Sequence, residues 1–178
     1  MRVFVGVPLE EAAIEALLPV QEALRQGRLV DEENLHLTLA FLDDQPEDVL
    51  AELDAALQDI RVSPWEMEFT GVEAKGGRRP ALVWADVAKA EPLRQLHDKV
   101  RSAARLAGID LPRERFRPHV TLARFPRSRS VDTGRLAAFL GAWGGFRAGP
   151  FAVERFCLYG STLTPEGPIY DVLADYPL

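Results

Sequence analysis

Alternating apolar and polar positions between residues 35 and 42 predict a strand with one apolar face and one polar face. Side chains alternate across a strand, so His36 and Thr38 share one face. Leu37, Leu39 and Phe41 share the other face, and their apolar character predicts that this face lies in the core. The segment therefore presents an imidazole beside a hydroxyl group.

The same pattern, His-x-Thr-Leu, occurs a second time at residues 119–122. His119 and Thr121 share one face of this second predicted strand, and Val120 and Leu122 share the other. A single histidine on a half-buried strand is often only a structural residue. Two copies of one pattern in a short chain instead indicate that both strands contribute to one site.

Periodicity predicts the other elements of the chain. Strands are expected at about 2–9, 65–74, 81–87, 151–159 and 169–174, and helices at about 10–26, 46–60, 91–107 and 132–142. Pro19 is expected to break or kink the first helix because proline removes a backbone hydrogen bond. The segment Lys75-Gly76-Gly77-Arg78 is typical of a hairpin or a longer turn.

The order of predicted elements repeats along the chain. Each half reads strand, helix, His-x-Thr strand, helix, strand, and the second half adds one final strand. We therefore expect an α+β fold that is bilobal and pseudo-twofold, with two mostly antiparallel sheets flanked by helices around a central groove. The lobes are expected to come from about 1–75 and about 80–178 of one continuous domain, 1–178.

Length and composition favour one globular unit. The chain has 178 residues, of which 47% are hydrophobic and 27% charged. No apolar stretch approaches the roughly 20 residues that cross a bilayer, and residues 1–8 are too short and strand-like for a signal peptide. We therefore expect a cytoplasmic monomer. The single cysteine, Cys157, lies in a strand-like run and is interpreted as buried and inert.

Charge is distributed unevenly. The net charge of −6 argues against a protein that coats long nucleic acids, because such binding neutralises many phosphates. Basic residues nevertheless cluster around the second motif and before the strand at 81–87, where they indicate an anion-binding surface. These residues are Arg113, Arg115, Arg117, Arg124, Arg127 and Arg129, together with Lys75, Arg78 and Arg79.

Two imidazoles and two hydroxyl groups fit the needs of phosphodiester cleavage. The reaction requires a base for the attacking oxygen, an acid for the leaving oxygen and donors for the phosphoryl oxygens. Histidine serves either proton role because its ordinary pKa is about 6.5. A metal site is a weaker interpretation, since two imidazoles fall short of the usual three or four ligands. His97 lies on a predicted helix without a neighbouring threonine, and we assign it to the helix surface or core margin.

Four runs of the sequence resemble a known family. They are residues 1–7, Asn34-Leu35-His36-Leu37-Thr38-Leu39-Ala40-Phe41-Leu42, Pro118-His119-Val120-Thr121-Leu122-Ala123-Arg124 and residues 163–170. The doubled motif is similar to the twin signature of the 2H phosphoesterases, in particular the bacterial and archaeal RNA 2′,3′-cyclic phosphodiesterases, also called 2′-5′ RNA ligases. The resemblance extends over nearly the whole chain.

The resemblance implies metal-independent and cofactor-free hydrolysis of a ribose 2′,3′-cyclic phosphate to a 2′-phosphate. It implies that His36 donates a proton to O3′ and that His119 activates water. It also implies that Thr38, Thr121 and Arg124 hold the phosphate. Strict alternation turns Arg124 away from the histidine face, so the strand must end or bulge if Arg124 is to reach the groove.

RNA ends are commonly bound by stacking on aromatic or guanidinium planes. Candidate stacking residues are Phe116, Arg117, Phe125, Trp84 and Tyr159, of which Phe116 and Arg117 are our choice for substrate binding. The expected partners are RNA termini or small cyclic nucleotides, and no membrane.

Two other classes of function remain open from the residues. The same groove suits hydrolysis of other small nucleotide phosphoesters or anhydrides, or the reverse reaction as a 2′-5′ ligase. A non-catalytic module that binds nucleotides or RNA ends would show affinity without turnover. The presence of both histidines and both threonines favours the enzyme, because arginine or backbone amides alone suffice to bind phosphate.

Overall fold

A computed structural model describes residues 1–178, which form nine strands, four α-helices and one 3-10 helix. In chain order these are β1 (Arg2–Pro8), α1 (Glu11–Leu24), β2 (Arg28–Leu29), the 3-10 helix (Glu32–Asn34), β3 (His36–Asp44), α2 (Glu47–Gln58), β4 (Trp65–Lys75), β5 (Leu82–Val87), α3 (Glu91–Leu106), β6 (His119–Arg124), α4 (Thr133–Trp143), β7 (Ala148–Val153), β8 (Arg155–Thr164) and β9 (Gly167–Pro177). None of the helices is long and apolar enough to span a bilayer.

All strand pairs are antiparallel, and the predicted α+β class is confirmed. The strand order is β7-β4-β5-β6-β3-β1-β8-β9, and the short β2 pairs with β6. The two predicted sheets are therefore joined into one. The junction lies between β3 and β6, where Leu37 and Val120 form the one paired position.

Each lobe contains strands from both halves of the chain. The first lobe contains β3, β1, β8 and β9, and the second contains β6, β5, β4 and β7. They therefore do not coincide with the segments 1–75 and 80–178. The short turn between β4 and β5 explains the exchange, because it makes these strands pair as a hairpin and carries β4 into the second lobe. Gly76 in this turn has a φ of 122°, a conformation that favours glycine.

Helices cover each lobe on its apolar face. Helices α1 and α4 contact β6, β7 and β4 of the second lobe, and α2 and α3 contact β9 and β3 of the first. Helix α1 buries Ala13, Leu17, Val20 and Leu24 at helical spacing. The same helix continues through Pro19, so the predicted break does not occur. One core of 41 buried residues extends through both lobes.

The predicted strand at 151–159 is two strands. Glu154 separates β7 from β8, and the two strands lie in different lobes. Because β7 pairs with β4 while β8 pairs with β1, the chain changes lobes at this point. The charged residues Glu154 and Arg155 separate two apolar runs, but the local pattern does not show that these runs pair with different strands.

A β-bulge reverses the side-chain alternation within β3. Val5 of β1 pairs with Ala40, and the next residue, Gly6, pairs with Thr38, so Leu39 is an additional residue on β3. After the bulge Phe41 faces the same side as His36. The prediction that Phe41 enters the core is therefore wrong, and its side chain is 60% exposed.

The second motif contains the same bulge. Val83 pairs with Ala123 and Trp84 pairs with Thr121, so Leu122 is the additional residue on β6. This irregularity turns Arg124 to the face of His119. The bulge that Arg124 requires to reach the groove is thus present.

A buried glutamine satisfies the bulged backbone of β6. The Gln21 amide of α1 donates to the carbonyl oxygens of Leu122 (2.9 Å) and Val30 (2.8 Å). The Val30 N–H also donates to the Leu122 oxygen at 2.9 Å. Buried backbone groups need such partners, so Gln21 fixes the bulge and, through it, the direction of Arg124.

We expect Gln21→Leu to lower the free energy of unfolding by about 1–3 kcal/mol, because the buried Leu122 oxygen and the partly buried Val30 oxygen each lose the donor that Gln21 supplies. The measurement is denaturant unfolding. Gln95→Leu, an exposed position of α3, is the matched control and should change stability by less than about 0.5 kcal/mol. Equal stability of the two variants would contradict a structural role for Gln21.

Candidate active site

The pairing of β3 with β6 brings the two motifs together. Because Leu37 lies opposite Val120 in an antiparallel pair, the same register places His36 opposite Thr121 and Thr38 opposite His119. Both imidazoles and both hydroxyl groups line one cavity of about 210 Å³.

We call this space the central cavity. The side chains that line it include His36, His119, Thr38, Thr121, Arg124, Arg28, Asn34, Phe41 and Tyr170. Five of these residues were predicted as site residues. The other four, Arg28, Asn34, Phe41 and Tyr170, were not.

The hydrogen bonds of His36 define its neutral tautomer. Its Nδ1 lies 2.6 Å from the backbone oxygen of Asn34, which only accepts, so Nδ1 carries the proton. Its Nε2 lies 3.0 Å from Thr38 Oγ1 and accepts the hydroxyl proton. The neutral ring therefore presents a basic nitrogen beside the threonine.

The Nδ1 atom of His119 has the equivalent hydrogen bond. Its Nδ1 lies 2.7 Å from the backbone oxygen of Arg117, two residues before it. This bond again places the proton on Nδ1 and leaves Nε2 as the nitrogen available for proton transfer. Each ring is thus oriented by a backbone carbonyl group two residues before its own strand begins.

Asn34 connects His36 to the start of β9. Its side chain is buried, and Nδ2 donates to the Pro168 oxygen at 3.0 Å, while its backbone oxygen holds His36. One residue therefore positions the first imidazole and anchors the start of β9, which lines the cavity. Sequence reasoning missed it because Pro168 is distant along the chain.

Two arginines lie side by side at the cavity. Arg28 of β2 is paired with Arg124 of β6, and both line the central cavity. Like charges directly opposite each other on neighbouring strands are destabilising. An anion between the guanidinium groups removes this repulsion, so the pair favours phosphate binding.

Aromatic side chains support the two rings differently. The His36 ring lies 4.7 Å from Phe4 and 5.4 Å from Tyr170, between centroids. The His119 ring lies 4.3 Å from Trp84. His36 is thus enclosed by aromatic rings of the first lobe, whereas His119 rests on one indole of the second.

Trp84 is surrounded by charged groups. Arg117 lies 5.0 Å and Lys75 5.3 Å from the ring centroid, and the indole Nε1–H donates to Asp86 at 3.1 Å. Trp84 is 4% exposed, so it is not available for base stacking. Its position instead supports the His119 ring.

Burial lowers the pKa of both histidines. The pKa of His36 falls to about 4, mainly because burial disfavours the charged ring, and positive Arg124 and His119 add to the effect. The pKa of His119 is also lowered, mainly by burial and further by Lys75, while Asp86 opposes the shift. Both rings are therefore neutral at pH 7 in the free protein, and a bound anion raises both pKa values.

Other predicted site residues lie outside the central cavity. Arg117 forms ion pairs with Glu73 and, at 3.4 Å, with Asp86. Phe116 stacks on His97, with ring centroids 3.8 Å apart. Both Phe116 and Arg117 line an adjacent groove rather than the cavity itself.

Two further stacking candidates are part of the core. Phe125 is 9% exposed and Tyr159 is 8% exposed, so neither offers a face to a base. Cys157 is buried beside Tyr159, and burial raises the pKa of its thiol. The basic cluster is also divided: Arg124 lines the cavity, Lys75, Arg115 and Arg117 line the adjacent groove, and Arg78, Arg79, Arg113, Arg127 and Arg129 line neither.

The chemistry of the cavity is that of proton transfer and anion binding. No group of three or more His, Cys, Asp or Glu side chains is placed to hold a metal ion. Two imidazoles instead lie among hydroxyl and guanidinium groups. This arrangement suits general acid and base catalysis at a phosphate.

Comparison with known proteins establishes the family. The profile of the 2′-5′ RNA ligase superfamily matches residues 8–163. A protein of Aeropyrum pernix named RNA 2′,3′-cyclic phosphodiesterase is 34% identical over 148 residues, which cover 82% of this chain and 83% of that protein. A Thermus thermophilus protein of the same name is 31% identical over 192 residues, covering 100% of this chain and 90% of that protein.

Solved structures of similar proteins support the same family. TT0787 of Thermus thermophilus superposes with a TM-score of 0.79 at 29% identity and covers 100% of this chain and 98% of that one. E. coli LigT complexed with 3′-AMP gives 0.74 at 26% identity, over 99% and 96% of the two chains. The chain therefore belongs to the 2′-5′ RNA ligase superfamily, and the resemblance to the 2H phosphoesterases is confirmed.

We expect the His36 ring to titrate near a pKa of about 4 and the His119 ring below 6.5, because burial disfavours both charged forms. Inorganic phosphate should raise both values. The measurement is NMR titration of the ring C–H signals, assigned with His36→Gln and His119→Gln. Sodium chloride at the same ionic strength is the control. A His36 ring that titrates at 6.5 or above without phosphate would contradict the buried position of the ring.

Proposed function

We propose that this protein hydrolyses RNA or nucleoside 2′,3′-cyclic phosphates to 2′-phosphomonoesters, using His36 and His119 and no metal ion. One observation carries the proposal. Two imidazoles with the same hydrogen bond from Nδ1 line one cavity, each opposite a threonine of the other strand. The names of the relatives support the cyclic phosphate as substrate.

Arginine and threonine side chains supply the phosphate contacts. In the proposal Arg124 and Arg28 neutralise the charge of the phosphate, and Thr38 and Thr121 donate to its non-bridging oxygens. Binding between the two arginines relieves their mutual repulsion. The phosphorus then lies between the two histidine rings.

The reaction is one in-line displacement. A water oxygen attacks phosphorus as His119 Nε2 takes its proton, and a P–O bond forms. The bond from phosphorus to O3′ breaks, and protonated His36 donates its Nε2 proton to O3′. The product is a 2′-phosphate with a free 3′-hydroxyl group, and the two rings have exchanged protonation states.

Burial of His36 serves the acid role. A ring with a lowered pKa is a stronger acid once it is protonated, and the bound anion supplies the charge that stabilises the protonated form. The same burial makes this form scarce in the free protein at neutral pH. The acid is therefore formed mainly in the complex with substrate.

We expect His36→Ala and His119→Ala each to lower turnover about 10²- to 10⁴-fold, because each removes one proton transfer. The double variant should lose far less than the product of the two effects. The assay is hydrolysis of nucleoside 2′,3′-cyclic phosphates, with linear nucleotides for comparison and a chelator in every reaction. Arg94→Ala, on the exposed face of α3, is the control.

The outcomes separate the alternatives. Wild-type hydrolysis in the double histidine variant would refute the proposal. Tight binding without turnover would identify a binding module, and preference for linear nucleotides would identify another phosphoesterase. A 3′-phosphate product would contradict the assigned leaving group.

The pH dependence of kcat/KM should follow the lowered pKa values. The transition state holds one more proton than the free protein with both rings neutral, so kcat/KM falls as pH rises above the pKa of the acid in the free protein, and we expect this basic limb to lie below pH 6.5. Because the two histidines interact, the pKa values read from this profile describe the pair rather than either ring alone. The limb in kcat should lie at higher pH, because the bound phosphate raises both pKa values. A kcat/KM that stays constant from pH 6 to pH 8 would contradict this prediction.

A further inference from the structure

The two halves of the site differ in the strand beside each motif. Strand β1 pairs with β3 and β5 pairs with β6 in equivalent registers, with the same bulge after the motif threonine. Opposite the threonine and the histidine, β1 carries Gly6 and Pro8, whereas β5 carries Trp84 and Asp86. One half therefore has no polar side chain at these two positions, and the other half has an indole and a carboxylate.

Both supports of the His119 ring meet at one oxygen atom of Asp86. The ring lies 4.3 Å from the Trp84 indole, between centroids, and its Nδ1 lies 2.7 Å from the Arg117 carbonyl oxygen. Asp86 Oδ1 accepts the indole Nε1–H at 3.1 Å and lies 3.4 Å from the Arg117 guanidinium. A single carboxylate therefore holds both the indole on which the ring rests and the residue that orients the ring.

Charged and titratable groups from several elements surround His119. They are Lys75 and Glu73 of β4, Asp86 of β5, Arg117 of the loop before β6, Arg124 of β6 itself and His36 of β3. Burial lowers the pKa of His119 most, Lys75 and Arg117 lower it further, and the Asp86 carboxylate raises it. Asp86 therefore stabilises the ring when the ring gains a proton.

No carboxylate acts on His36 in this way. Burial lowers the pKa of His36 most, and Arg124 and His119 lower it further. The position that Asp86 occupies beside His119 is taken by Pro8 beside His36. Because the two motifs are the same, this difference in charge between the two rings comes from the neighbouring strands.

We propose that Asp86 is a positioning residue that makes His119 the base of the reaction. This inference rests on the proposed function. A base becomes positively charged as it takes the proton of water, and a fixed carboxylate nearby stabilises that charge. Asp86 acts through Trp84 and Arg117 and does not itself contact the substrate.

The test compares three variants with wild type. Asp86→Asn removes the charge but keeps an oxygen that accepts from the indole, and Asp86→Ala removes both. Glu73→Gln is the matched control, because Glu73 also pairs with Arg117 but its side chain is 49% exposed, against 18% for Asp86. The measurements are NMR titration of both imidazole rings and steady-state hydrolysis of a nucleoside 2′,3′-cyclic phosphate.

We expect Asp86→Asn to lower the pKa of His119, because the Asp86 charge raises it, and to change the pKa of His36 less. The same variant should lower kcat about 10- to 100-fold with little change in KM, since the lost charge acts on proton transfer rather than on phosphate binding. Asp86→Ala should lose more, because the buried indole N–H is left without its acceptor. Glu73→Gln should resemble wild type in both measurements.

Three results would overturn the inference. They are an unchanged pKa of His119 in Asp86→Asn, a lowered pKa with wild-type kcat, or equal losses of kcat in Asp86→Asn and Glu73→Gln. If wild type hydrolyses no cyclic phosphate, the proposed function fails and the role as base fails with it. The NMR titration then decides separately whether Asp86 sets the proton affinity of His119. Because an amide has the shape of a carboxylate, Asp86→Asn keeps the test valid should Asp86→Ala not fold.

Discussion

The contact between β3 and β6 at Leu37 and Val120 is the constraint on which the site depends. Both side chains are fully buried, and the strands of the two lobes meet by backbone pairing at this position. The antiparallel register then sets the positions of all four motif side chains, each histidine opposite the threonine of the other strand. A shift by one residue would turn the histidines into the core and the leucines into the cavity. Burial of the apolar face therefore fixes the register, and the register fixes the site.

A symmetric framework yields an asymmetric site. Both strands carry the same bulge after the motif, and the first exposed residue beyond it is Phe41 in one strand and Arg124 in the other. The environments of the rings also differ, since aromatic side chains enclose His36, and burial lowers its pKa to about 4. His119 has Asp86 nearby, which opposes the loss of its charge. Two histidines with one common orientation thereby acquire different proton affinities, as a reaction with one acid and one base requires.

Sequence reasoning predicted the motifs, the α+β class and most elements because these depend on local periodicity. It failed where a long-range pairing decides the outcome. Phe41 follows the alternation of Leu37 and Leu39 in the sequence, and only the register with β1 reveals the bulge that exposes it. Arg28 carries no local signal, because its importance comes from its pairing with Arg124. The exchange of β4 and β8 between lobes was hidden for the same reason: a repeated order of elements does not specify which strands pair.

The most direct test of the central claim is a crystal structure of the protein with a nucleoside 2′,3′-vanadate, a mimic of the five-coordinate phosphorus in the transition state. We predict that vanadium lies between the two motifs, with His36 Nε2 and His119 Nε2 each about 2.6–3.2 Å from a different apical or bridging oxygen. Vanadate bound to one histidine only, or bound away from both rings, would contradict the claim that two imidazoles act on a single phosphorus atom.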